Sequence, residues 1–109
     1  MNLLPKLAIV AIVMVAGTAS AADLYVASAT YGLSCSPSLY GNMTVTVGRA
    51  CSGKSLCHFT IDHEKHGDPA PMCSKNFVVD YKCSGSNVIK TAAVSAEASK
   101  HYVTLDCSQ

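Results

Sequence analysis

The sequence predicts an α+β fold: a small disulfide-rich domain of about five short antiparallel strands with one or two short helices and long loops. Three observations carry the prediction. Short stretches rich in Val, Thr, Tyr and Ile alternate apolar with polar residues, the period of a half-buried strand. Clusters of Gly, Pro and Ser punctuate them at short intervals. All six cysteines lie from Cys35 onward, an even number in a short chain that carries an export signal.

That signal comes first in the chain. Met1-Asn-Leu-Leu-Pro-Lys6 is a short basic n-region, and Leu7 to Ala16 is an uncharged apolar run too short to span a bilayer. Ala19 and Ala21 then occupy the small-residue cleavage positions. Residues 1–21 are read as a secretory signal peptide and 22–109 as a single domain. Leu24 to Tyr31 alternates and is rich in β-formers, so it is the opening strand. Gly32 to Gly41 is loop. From Asn42 to Cys51 the β-propensity of Thr44-Val-Thr-Val47 competes with helical spacing of Met43, Val47, Ala50 and Cys51. A short helix with Asn42 as N-cap is expected.

Ser52-Gly-Lys54 is a turn and His58 to Asp62 a strand. His63 to Lys75 is expected to be a long irregular loop, because its proline pair continues neither helix nor central strand. Asn76 to Cys83 is the clearest strand, with Phe77, Val79 and Tyr81 on one face. Ser84-Gly-Ser86 turns into a strand over Val88 to Val94, Ala96 to Lys100 turns again, and His101 to Cys107 closes the domain.

Eight basic and seven acidic residues leave a net charge of +1 with no basic stripe, which argues against nucleic acid and anionic membranes as partners. No second long apolar run follows the leader, so no membrane insertion is expected after its cleavage. The cysteine and histidine spacings lack the close pairs of a zinc site, and no cofactor is expected. Three disulfides also suit the size of the chain, since so small a core offsets its conformational entropy poorly without staples. Secretion or a periplasmic location is expected.

Four segments, in order, resemble the galactose/rhamnose-binding lectin domain of the sea urchin egg lectin type. Val26-Ala-Ser-Ala-Thr-Tyr-Gly32 is similar to that family's strand ending in Tyr-Gly. Ala50-Cys-Ser-Gly-Lys-Ser-Leu-Cys57 resembles its C-x-G-K-x-x-C segment, Gly67-Asp-Pro69 its Gly-Asp-Pro loop, and Lys75 to Cys83 its closing strand. The departures are Leu33 where the family has an arginine, Ala70 where it has a cysteine, and no opening C-E-G strand ahead of Leu24. The tail from Ser84 onward resembles that missing strand pair moved to the C-terminus, with Ala96 in place of its cysteine. The resemblance then implies the bridges Cys51–Cys57 and Cys83–Cys107, which leaves Cys35 with Cys73.

It also implies carbohydrate or glycoconjugate binding without catalysis. A sugar hydroxyl both donates and accepts, so carboxylates and a cation close together suit it. By resemblance Asp68 and Lys75 contact the sugar, Tyr31 lines the pocket, Glu97 supplies the carboxylate of the C-E-G position, and His63 adds a polar contact. Plainer roles stand beside these: Asp68 organising a turn before Pro69, Tyr31 as core, and Lys75 and Glu97 as solvated surface charges. Two other functions compete. A glycosidase would place two carboxyls across a bond, but a small loop-rich chain offers a shallow site. A protein-binding or inhibitor module could reuse the same scaffold. A single sugar site of this kind binds at about −4 kcal/mol, in the millimolar range, so self-association into a homo-oligomer would be needed for avidity.

Overall fold

The structure, a computed structural model, describes residues 22–35 and 41–108. The signal-peptide reading of residues 1–21 lies outside the described residues. Six strands form two antiparallel sheets, joined by two short helices and three disulfides. The elements run β1 (Leu24–Tyr31), β2 (Gly41–Asn42), α1 (Thr44–Cys51), β3 (Leu56–Thr60), α2 (His63–His66), β4 (Phe77–Cys83), β5 (Lys90–Val94) and β6 (Tyr102–Asp106). One sheet has the order β2-β1-β4-β5, and the other pairs β3 with β6.

The core lies between the two sheets and α1. Alternation on β4 sends Phe77, Val79 and Tyr81 inward, and β3 and β6 answer with Cys57, Phe59, Val103 and Leu105. Phe59 stacks on Phe77 with ring centroids 5.8 Å apart, which ties one sheet to the other. Each such side chain contributes about 1.5–3 kcal/mol on burial. Helix α1 adds Val47 and Cys51 from one face, the spacing that favoured helix over strand in this segment.

The β1 register carries an irregularity between Val26 and Ser28 against β4. Strict alternation from Leu24 and Val26 would turn Ser28 and Thr30 inward. The extra residue shifts the phase, so Ala29 and Tyr31 are buried instead. Tyr31 consequently enters the core, 6.1 Å from Phe77 in an edge-on contact.

Several boundaries differ from the sequence expectation. Asn42 does not occupy the cap position of α1, which falls on Met43; its Oδ1 accepts from the Thr44 N–H at 3.0 Å one residue further upstream. The stretch after Asp62, expected to be irregular, begins with the single turn α2. Asp62 caps it by accepting from the Glu64 N–H at 3.0 Å. β3 starts earlier, at Leu56, because its pairing with β6 begins at Asp106. β5 starts later, at Lys90, where its ladder with Tyr81 begins.

The disulfides are Cys35–Cys73, Cys51–Cys57 and Cys83–Cys107, the same pairs that the family resemblance implies. Among the described residues no helix is long and apolar enough to cross a membrane.

Candidate functional site

At the Tyr31 end of β1 a cleft of about 490 Å³ opens between the Asp68–Lys75 loop, the start of α2 and the segment joining β5 to β6. His63, Asp68, Lys75 and Glu97 all line it, although they are scattered along the sequence. Tyr31 lies beneath, 1% exposed.

Lys75 is the keystone of this arrangement. Its side chain is buried, and its ammonium donates to the carbonyls of Ala70 at 3.2 Å and Cys73 at 3.0 Å. The Asp68 carboxylate completes the set at 2.7 Å. An ammonium has three N–H donors, and here three acceptors meet it. Lys75 therefore holds the loop and presents Asp68, with no donor left over for a ligand. Its charge also sits 5.5 Å from the centroid of the Tyr31 ring. Burial works against the charged form of Lys75, but Asp68, with Tyr31 and Glu97, outweighs it and raises the ammonium pKa above its ordinary value. The same pairing, led by the Lys75 hydrogen bond, holds the Asp68 carboxyl below the usual carboxylate value.

Two glycines make room for the keystone and its loop. Gly32 adopts φ +92°, and a Cβ there would stand 3.1 Å from Cγ of Lys75. The aliphatic stem of Lys75 thus runs across the space a side chain would fill. At Gly41 a Cβ would come 3.1 Å from Cγ of Pro69, so the Gly-Asp-Pro turn packs directly on β2.

The opposite wall is pinned just as closely. The Ala98 N–H donates to the Lys75 carbonyl at 2.8 Å, and Lys100 and His101 exchange backbone bonds with Ile61 at 2.6 and 2.8 Å. Glu97 is thereby set beside Lys75: Oε1 accepts from the Lys75 N–H and Oε2 from the Ser99 N–H, both at 3.3 Å. Those are long bonds, and an ionised carboxylate has further acceptor sites to offer. His63 reaches the same wall through Nδ1, 2.7 Å from Ser99 Oγ, which also accepts the His63 N–H at 3.1 Å. Burial raises the Tyr31 phenol pKa, while Ser99 and Lys75 pull the other way. Among the described residues, the buried Tyr31 hydroxyl has no hydrogen-bond partner.

Four lining residues, Met72, Ser74, Ser99 and Lys100, were not singled out from the sequence. Ser99 shares a turn with Glu97 but carries no signal of its own. Lys100, at φ +74°, bonds Asp62 at 3.0 Å and Glu64 at 3.2 Å across the top of α2. Met72, at φ +68°, is fully exposed on the turn that Cys73 closes. Both are bulky residues in the left-handed region, where strain needs support from surrounding structure.

The cleft therefore combines the Asp68 and Glu97 carboxylates with serine, histidine and lysine groups and an apolar edge at Met72. It suits a ligand rich in hydroxyl donors with a compact apolar face. Among the described residues no three His, Cys, Asp or Glu side chains gather so that they could hold a metal ion. Compared with known proteins, the chain matches no family model, no curated protein and no solved structure.

Proposed function

We propose that this chain is an exported, non-enzymatic carbohydrate-binding module of the galactose/rhamnose-binding lectin type. The observation that supports it most is the convergence of His63, Asp68, Lys75 and Glu97 on one cleft above Tyr31. In this reading Asp68 and Glu97 accept hydrogen bonds from neighbouring sugar hydroxyls, and Ser99 or His63 supplies a further polar contact. Lys75 serves as the positioning residue, fixing Asp68 and the 70–73 turn. Tyr31 supports the floor, and Met72 offers the apolar edge for C–H groups.

A catalytic role is not part of the proposal. Glycoside hydrolysis needs a carboxyl kept protonated as the general acid. Asp68 is driven the other way, toward its ionised form, by Lys75. The three disulfides fit an oxidising compartment, in keeping with secretion or a periplasmic location. A second reading, a protein-binding or inhibitor module, draws on Met72, an apolar side chain wholly exposed on the turn that Cys73 closes.

Titration with L-rhamnose and D-galactose, followed by amide NMR shifts, tests the proposal. Saturable shifts at Asp68, Lys75 and Glu97 that Glu97→Ala abolishes would support it. Silence up to about 50 mM, far weaker than the millimolar binding expected, would overturn it in favour of a protein partner.

A further inference from the structure

Strand β1 has a cleft at each end. The second, about 460 Å³, opens at Leu24, where Tyr25, the Ser52-Gly53 turn and the Ser84–Ser86 turn come together. Some seven residues of strand separate it from Tyr31, or about 23 Å at the usual rise. The two clefts are thus independent openings of one small domain.

The walls of the second cleft are preformed. The Ser52-Gly53 turn follows Cys51, bridged to Cys57, and the Ser84–Ser86 turn follows Cys83, bridged to Cys107. Gly53 donates its N–H to the Leu24 carbonyl at 3.0 Å, and Ser84 and Asp23 exchange two bonds at 2.9 and 3.0 Å. Gly53 and Gly85 both have positive φ and nothing within 4 Å of where a Cβ would lie, so the floor stays open.

Its chemistry is amphipathic. Tyr25 points away from the core and is 62% exposed, an aromatic ring that the fold leaves uncovered. Lys82 stands directly across from it in the β1–β4 register, and Asp23 is two residues before it. Neither Asp23 nor Lys82 forms an ion pair with any described residue. In contrast with Lys75, the Lys82 ammonium therefore meets no carboxylate among the described residues. A flat ring, an acceptor, a donor and serine hydroxyls around one opening suit a pyranose, whose C–H face covers the ring while its hydroxyls meet the polar rim.

We propose that the cleft at the Leu24 end of β1 is a second site for a neutral saccharide, with Tyr25 as its platform and Asp23 and Lys82 as its polar contacts. The inference rests on the carbohydrate reading of the first cleft and goes beyond it, since it makes one chain bivalent without self-association. Two weak sites on one rigid domain raise avidity toward a surface carrying many copies of the sugar.

The test is an amide NMR titration of the exported protein with L-rhamnose and with D-galactose, reading the two clefts separately. The expected result is saturable shifts at Tyr25, Gly53, Lys82 and Ser84 in addition to those at Asp68, Lys75 and Glu97. Tyr25→Ser should weaken the first group by about tenfold, as expected for loss of an aromatic platform, and leave the second unchanged. Lys82→Gln should weaken the same group. Saturation confined to the Asp68 cleft would overturn the second site and leave the lectin reading standing. Silence at both clefts would overturn both, and shifts near Tyr25 that survive Tyr25→Ser and Lys82→Gln would overturn the second site as described.

Discussion

Replacing Lys75 by Met isolates what its ammonium does. Methionine keeps most of the stem that runs over Gly32, so packing against the turn is largely retained. What disappears is the charge and its bonds to the Ala70 and Cys73 carbonyls. A hydrogen bond to a charged group is worth about 1.5–3 kcal/mol. Cys73 is partly exposed and its carbonyl regains water, whereas Ala70 is buried and its carbonyl does not. Counting one full bond and leaving the ion pair to Asp68 out of the sum, Lys75→Met destabilises the domain by about 1.5–3 kcal/mol. For a domain of this size that lowers Tm by about 10–20 °C. Circular dichroism melts of the oxidised protein at neutral pH measure it. Lys100→Met is the control: it removes two exposed ion pairs, and Tm should move by only a few degrees. If Lys75→Met melts alongside Lys100→Met, the ammonium is not the keystone described above.

Gly32→Ala should destabilise by about 1–2 kcal/mol from its positive φ alone, and by more once the Cβ crowds Lys75, whereas Gly53→Ala bears only the φ cost; chemical denaturation of the pair reads the difference. Because Asp68 has a lowered folded pKa, its stabilising effect is complete above the ordinary carboxylate value of about 3.9 and fades as pH falls through the lower folded one. Tm should therefore drop in acid below about pH 4, less steeply in Asp68→Asn, and an unchanged slope in that variant would contradict the pairing. At the alkaline end, the Lys75 contribution is complete below about 10.4 and fades as pH rises through its raised folded value, so Tm should fall above that range and fall less steeply in the Lys75→Met variant. Removing the Cys35–Cys73 bridge as a double Ala variant opens a loop of sequence separation 38 and should cost about 4 kcal/mol, measured by urea unfolding. Sugar-induced shifts at Lys75 should weaken in that variant even below its unfolding midpoint, because the 70–73 turn is then held by the Lys75 bonds alone.

The strands were legible in the residues because their burial follows a simple period. Phe77, Val79 and Tyr81 alternate without interruption, and Val103 and Leu105 do the same on the closing strand. The phase shift in β1 was not legible: Ala27 and Ser28 are small, neutral residues with nothing to mark a bulge, yet the shift is what buries Tyr31. Helix α2 had a readable start in Asp62 and Glu64, outweighed by the proline and glycine content that follows. The candidate site was visible as residue types, through the resemblance, but not as geometry. Lys75 reads as a surface lysine, and only the missing side chain at Gly32 lets its stem lie in the fold with the charge capped by three oxygens. Ser99 and Met72 carry no pattern at all; their places follow from the turn that pins Ala98 to Lys75 and from the bridge at Cys73.

A crystal structure of the protein soaked with L-rhamnose tests carbohydrate binding at the Asp68 cleft without intermediaries. A sugar should lie in the Asp68 cleft, with hydroxyls about 2.5–3.0 Å from Asp68 and Glu97 and its apolar face toward Met72. A well-ordered crystal with that cleft open and free of sugar at saturating ligand would contradict it.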